Sequence, residues 1–368
     1  MINIVFLMNH LAGKGPVNVL YSICKYLDRN QYNPIIVTLL DEKPDVSIAD
    51  KFKTLGIEIR CIHSSYVKAE ASTSKVARLV ENAIKDLDDC IVHPHCYHPT
   101  IVAAKMSGYK TITTIHNISI DDFTMKHGKL MGTYLSWRFR RDLKKMDCAV
   151  ALSDYMKDYY QGCSDNLIRI YNGVDYQNNY STEEVQNLRK KLDFEDGVKV
   201  VLVCGSLTPR KNPIYAINEL KKSNRNDFLC VFIGSGVQLE ECKKAIEQDR
   251  RFRFEGQVNN VKEYLAASDI SMSVSKSEGL PLGVLEALSM GVPMILSDIA
   301  PHREIAGEMG ADCIKIVECK EGNLLPVLGK MLDSKFDRRQ LQEKATRIFG
   351  AQTMASKYMD EYKNLMSK

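Results

Sequence analysis

Short apolar runs rich in β-branched residues recur along the whole chain. The first half carries INIVFLM, NPIIVTLL, IEIRCI, DCIVHPH, KTITTIH and DCAVALS. The second carries KVVLVCGSL, FLCVFIGSG, RFRFEGQV, ISMSVSKS, PMILSD and DCIKIV. Their apolar character is continuous rather than alternating, as in strands covered on both faces, which means parallel sheets with crossover helices. Between them the apolar spacing is helical. After Pro16, the residues Val19, Leu20, Ile23, Cys24 and Leu27 fall on one face. The pattern predicts two doubly wound α/β units. The polar stretch from about Tyr176 to Lys199 reads as their link, and the segment MASKYMDEYKNLMSK as a polar closing helix. The expected division is 1–175, 176–350 and a C-terminal helix over 351–368 packing back toward the first domain. Tandem α/β domains place a ligand at the carboxyl ends of their strands.

Composition removes several classes. A formal net charge of +4 over 368 residues is too small for general nucleic-acid binding. The opening MINIVFLMNHLAGKG lacks the basic n-region of a signal peptide, and no apolar stretch is long enough to span a bilayer. The eleven cysteines are scattered, odd in number and mostly within apolar runs, which fits buried thiols in a reducing cytosol.

Candidate chemistry concentrates at SKSEGLPLGVLEALSMGVP, residues 275–293. Here ISMSVS reads as a strand, KSEGLP as a turn and LGVLEALSMG as a helix with Pro281 in its first turn. Glu278 projects from the loop and Glu286 from the helix, flanking backbone N–H groups of about Gly279 to Gly283 that form an anion site. Two acceptors for hydroxyls around a phosphate site suit a nucleotide sugar. The competing reading is an acidic residue that complements the helix dipole. In CGSLTPRKNP, Arg210 and Lys211 sit together at a strand end and can hold a diphosphate, unless they form only a solvated basic turn. In HLAGKGPVN, Gly13 and Gly15 allow close backbone approach before a helix opened by Pro16.

These stretches, in this order, resemble the retaining GT-B glycosyltransferases of family GT4. SEGLPLGVLE resembles their E-x7-E motif, AGKGPVNVL their glycine loop, and IVHPHCYHPTIVAA their fourth strand and following helix. TITTIHN resembles the strand ending in a histidine, and RIYNGVD the segment closing the N-domain. GSLTPRKNP and FIGSG resemble the donor phosphate loop and the glycine turn after the next strand. The resemblance implies an α/β GT-B fold, two Rossmann-like domains facing each other across a cleft. The first would bind the acceptor and the second the nucleotide sugar. It implies Glu286 on the ribose hydroxyls and Glu278 on the transferred sugar. Gly279, Leu280, Pro281 and Leu282 would face sugar and phosphates, though Pro281 offers no N–H. Arg210 and Lys211 would neutralise the leaving diphosphate, with Gly205 and Gly234 beside it. Gly13 and Gly15 would lie against the phosphates, His116 near the sugar, and the turn from Gly256 to Val258 against the base. One departure stands out: Ser206 follows Gly205 where many members carry Arg, so Arg210 beside Lys211 stands in for it.

The implied reaction moves a sugar from a nucleotide donor, UDP-linked by expectation, to a glycan or lipid-linked saccharide with retention of configuration. No cofactor is expected, and fixed cations replace a metal. HPHCYH holds His93, His95, Cys96 and His98, but no second ligand cluster pairs with them, so no metal site is expected. Rival readings are a GT-B-fold UDP-sugar epimerase and a non-catalytic sugar-nucleotide-binding protein. Residues 126–145 place seven basic residues against Asp142, interleaved with Leu130, Met131, Tyr134, Leu135, Trp137 and Phe139. This reads either as a helix docking an anionic membrane surface or as one packing on its own domain. The expected location is cytoplasmic, peripheral at the inner face of the plasma membrane.

Overall fold

The computed structural model describes residues 1–310 and 312–367. The chain forms two compact units, Met1–Gly173 with Ala351–Lys368, and Val174–Gly350. Each is a parallel sheet with helical crossovers, the arrangement that continuous apolar strands require.

The first unit holds β1 (Ile2–Met8), β2 (Tyr32–Thr38), β3 (Glu58–Cys61), β4 (Cys90–Pro94), β5 (Lys110–Thr114), β6 (Cys148–Ala151) and β7 (Leu167–Arg169). Their spatial order is β3-β2-β1-β4-β5-β6-β7. The apolar runs all become strands. The three-residue edge strand β7 is the exception to the pattern, because NLIRI is too short to stand out from a loop; it pairs Ala149 with Leu167. Val5, Leu7, Val37 and Val92 bury one face of the sheet against Val76, Val80 and Val102. The helix Ala351–Ser367 belongs to this unit. It sinks Met354, Tyr358, Tyr362 and Leu365, and Tyr32 Oη donates to the Met359 carbonyl at 3.0 Å.

The second unit holds β8 (Lys199–Cys204), β9 (Phe228–Ile233), β10 (Phe252–Gly256), β11 (Ile270–Ser273), β12 (Met294–Ser297) and β13 (Ile314–Val317), ordered β10-β9-β8-β11-β12-β13. Phe228, Phe232, Ile217 and Leu220 form its core with Ile270, Ile295 and Leu328. The polar stretch before β8 is no free tether. Its helix Thr182–Lys191 starts from a Ser181–Glu184 capping box and buries Leu188. Arg189 ties it to Asp269 and to the Ala267 and Val198 carbonyls.

In both sheets the strand order reverses at one point, between β1 and β4 and between β8 and β11. Loops leaving the carboxyl ends of such neighbours splay apart, and the crevice they leave binds ligands in open α/β sheets.

Candidate functional site

At the switch point of the second sheet, the loop after β8 meets the loop after β11. Lys276 N–H donates to the Arg210 carbonyl at 2.8 Å, which stitches the two loops together. Arg210 Nη1 donates to Glu278 Oε2 at 2.6 Å and to the Ser277 carbonyl at 2.8 Å. Lys211 Nζ meets Glu278 Oε1 at 2.6 Å. Glu278 is buried, while both cations keep part of their surface accessible. Burial pushes the Glu278 carboxyl up, but Lys211 and then Arg210 outweigh it and hold it below the ordinary glutamate value. Two cations around one carboxylate leave the cluster net positive, a charge that an entering diphosphate offsets. Glu278 Oε1 is buried against the Lys211 ammonium, so the one carboxylate serves both cations.

The helix Leu282–Ser289 begins beside this cluster. Pro281 is its N-cap, in an extended conformation, rather than a residue of the first turn. The Pro281 carbonyl accepts from Val284 N–H at 3.1 Å, so the helix starts at Leu282, where the LGVLEALSMG reading put it. Gly283 lies over the end of β8, where a Cβ would make only an ordinary 3.5 Å contact with the Cys204 carbonyl oxygen. Glu286, one turn in, is half-buried. Burial raises its carboxyl to about 7, against the smaller opposing pull of Lys211 and Lys262. Its charge also acts on the Tyr176 hydroxyl and the Cys204 thiol, so these groups share one neighbourhood.

The glycine turns form a ladder at the carboxyl strand ends. Gly205 N–H donates to the Ile233 carbonyl at 2.9 Å and Gly234 N–H to the Gly256 carbonyl at 2.7 Å. Gly234 sits at φ 130°, and a Cβ on it would come within 2.0 Å of the Gly205 carbonyl oxygen. Gly234→Ala is therefore expected to cost about 3 kcal/mol or more. A lower urea midpoint for the second unit's transition would register it; an unchanged midpoint would show that the loop relaxes freely. Gly256 takes φ 69° with open space around it, and Val258 lies half-buried two residues on.

Sequence reasoning missed His302. It is fully buried behind the loop, with Nδ1 3.0 Å from both the Ser297 hydroxyl and the Ser297 carbonyl. It lies close enough that the Glu278 charge acts on it. Nothing in APHREIAG marks this histidine, because only the packing of β12 beside β11 brings it there.

In the first unit, Gly13 N–H donates to the Val46 carbonyl at 2.9 Å. A Cβ on Gly13 would meet Ile48 at 3.1 Å, and Gly15 opens the helix Gly15–Tyr26. Glu42, another residue the sequence did not mark, braces this loop by accepting from Leu11 N–H at 2.9 and 3.1 Å. His116 follows β5, and His95 follows β4 beside it; His95 Nδ1 and His116 Nε2 are 3.0 Å apart. His93 instead faces Tyr362 and Thr114, each at 2.8 Å. These histidines do not gather as metal ligands. The group that does among the described residues is Asp41, Cys61 and His63, at the surface.

The basic segment splits at Gly128 into the helices Ser119–His127 and Lys129–Leu143. Leu135, Phe139 and Leu143 face inward with Arg138, which binds Glu70 and Thr73. Leu130, Met131, Tyr134 and Trp137 stand exposed on the other side, with Leu130 at 90%. The packing face and the exposed apolar face are thus separate faces of one helix.

Comparison with known proteins places this geometry. Residues 13–178 match the family described as Glycosyltransferase Family 4, and residues 184–347 match Glycosyl transferases group 1. The O-antigen biosynthesis glycosyltransferase WclY of Escherichia coli is 29% identical over 272 residues, 70% of this chain and 72% of that one. The Escherichia coli UDP-Gal:alpha-D-GlcNAc-diphosphoundecaprenol alpha-1,3-galactosyltransferase is 26% identical over 270 residues, 68% and 67% of the two chains. Among solved structures, Anabaena Alr3699/HepE in complex with UDP superposes with a TM-score of 0.79 at 16% identity, covering 99% of this chain and all of its own (100%).

Proposed function

The chain belongs to the GT4-like glycosyltransferases, and from that membership we propose that it transfers a sugar from a UDP-sugar to a lipid-linked saccharide during surface polysaccharide synthesis. The observation that carries this reading is the Arg210–Lys211–Glu278 cluster at the switch point, with Glu286 on the helix that starts beside it. The relatives support the donor and acceptor classes: one is named for a UDP-galactose donor and a diphosphoundecaprenol acceptor, and a structural neighbour holds UDP and glucose.

Transfer passes through an oxocarbenium-like state while negative charge grows on the departing diphosphate. In the proposed assignment, Lys211 and Arg210 meet that charge, and each well-placed donor contributes about 3 kcal/mol. Glu278 holds both cations at the strand end and, in this assignment, contacts the transferred sugar. Glu286 accepts from the ribose diol. The glycine ladder Gly205–Gly234–Gly256 lets the backbone approach the diphosphate and, with Val258, the base. Gly279, Leu280 and Leu282 supply backbone beside the sugar, Gly13 and Gly15 contact phosphate, and His116 contacts the sugar. No protein nucleophile is assigned; a leaving-group oxygen takes the acceptor proton on the same face, which retains configuration without a metal. An epimerase would change the sugar of a UDP-sugar with no acceptor present, whereas this assignment predicts none of that.

A thermal-shift panel of UDP, GDP, ADP and their sugars tests the donor. Binding stabilises by mass action, by about 2.7 kcal/mol at a hundredfold excess over Kd. UDP compounds alone are expected to raise the Tm; a response confined to GDP or ADP compounds would overturn the uridine assignment.

The exposed face of Lys129–Leu143 supports a peripheral membrane role. Leu130, Met131, Tyr134 and Trp137 share the segment with Lys129, Arg141, Lys144 and Lys145, and Arg141 lies 5.1 Å over the Trp137 ring. No helix among the described residues is long and apolar enough to cross a membrane. Apolar anchors beside cations fit an anionic lipid surface. The protein is expected to sediment with phosphatidylglycerol vesicles at low salt. Trp137→Glu with Leu130→Glu should abolish this, and equal sedimentation of both proteins would remove the role.

A further inference from the structure

The buried histidines at the switch point of the first sheet assign a proton. His95 lies at the end of β4 with its ring fully buried. The ring packs 4.4 Å from His93 and 6.1 Å from Phe6, centroid to centroid. Its backbone N–H donates to the Leu7 carbonyl at 3.0 Å, and Cys96 after it is held at φ 69°, a strained value for a non-glycine residue. The loop therefore fixes the main chain.

His95 Nδ1 and His116 Nε2 are 3.0 Å apart, so one donates and the other accepts. His95 Nε2 is buried without any hydrogen-bond partner. A buried N–H left unpaired costs more than a bare lone pair, and orphaned donors are the rarer of the two. The proton of neutral His95 thus belongs on Nδ1, donating to His116 Nε2. His116 is half-buried, and its own proton is then forced onto Nδ1. Burial holds both rings neutral, with His116 down near 3.

We infer that His95 is a positioning residue that locks His116 in the Nδ1–H tautomer, so that His116 meets its ligand as a hydrogen-bond donor and never as a base. This rests on the proposal that His116 contacts the sugar, and it deepens it. A donor at that place recognises a hydroxyl oxygen of the sugar. It cannot take the acceptor's proton, which leaves the diphosphate oxygen to do so.

Long-range ¹⁵N–¹H spectra of histidine-labelled protein, assigned with His116→Asn, read the tautomer directly and without turnover. Wild type should show His116 protonated at Nδ1. His95→Asp puts an acceptor where the Nδ1 donor was; it should draw the His116 proton to Nε2 and lower kcat about tenfold, the loss of one positioned hydrogen bond, with KM for the donor little changed. His95→Asn places an amide donor where Nδ1 was and should restore both the Nδ1–H signature and most of the activity. At saturating donor, kcat of wild type should carry no histidine titration between pH 5 and 8, because both rings stay neutral there; the Glu286 titration acts on donor KM. An Nε2–H signature for His116 in wild type, or an Nε2 still unprotonated in His95→Asp, would overturn the inference. Should His95→Asp not fold, the wild-type spectrum still decides. A correct tautomer with full activity in His116→Asn would instead remove the sugar contact and leave the lock standing.

Discussion

Lys211→Ala is expected to lower kcat more than about a hundredfold at saturating substrates, the loss of one preorganised donor to a developing charge. The structure supplies the reason for choosing Lys211 over its neighbour. Arg210 spends its Nη1 on both the Ser277 carbonyl and Glu278 Oε2. Lys211 makes one ion pair, and its ammonium also sits close enough to act on Glu286 and Cys204. It is the cation common to both acids. Lys211→Arg should recover only part of the rate, because a planar fork does not place its charge where a compact ammonium does. Circular dichroism would confirm that the variant folds. Release of nucleoside diphosphate at saturating donor and acceptor gives the rate, and a near wild-type kcat would remove the cluster from the chemistry.

Glu286→Ala is expected to raise the donor KM about thirtyfold, with a smaller change in kcat, because a charge-assisted hydrogen bond contributes about 2 kcal/mol. The buried carboxyl adds a pH signature. Its value of about 7 lies above the ordinary glutamate value of 4.5. Below about 7 the group is protonated and accepts poorly, so donor KM should climb as pH falls from 8 to 6 in wild type and stay flat in Glu286→Gln. Stability runs the other way. A carboxyl raised in the folded state contributes stability that is complete below 4.5 and is lost as pH rises through about 7. The ligand-free Tm should therefore fall between pH 4.5 and 7 and level off above, and Glu286→Gln should remove that fall. Two pH-independent KM profiles would separate Glu286 from the donor.

Much of this was legible in linear order. The apolar runs were continuous, and continuous runs can only be strands covered on both faces, so both parallel sheets followed from periodicity alone. The acids and cations of the second unit stood out because charges at the carboxyl ends of strands have few structural reasons to be there. Pro281 was misplaced by one residue, since N-cap and first-turn prolines share the same φ and differ in ψ, which composition does not reveal. The edge strand Leu167–Arg169 was missed because three residues carry no period.

What the sequence by itself determined is the set of elements, the family, and which residues carry charge at strand ends. Those follow from local spacing, which the chain displays in one dimension. The tertiary structure alone decided the partners. It put Glu278 between Arg210 and Lys211, His302 behind that loop, Glu42 under the glycine turn and His95 against His116. Each of these pairings joins residues at least 21 apart in the chain, and all depend on which strands lie side by side. Strand order sets the neighbours, burial then sets the protonation, and neither is written in local spacing.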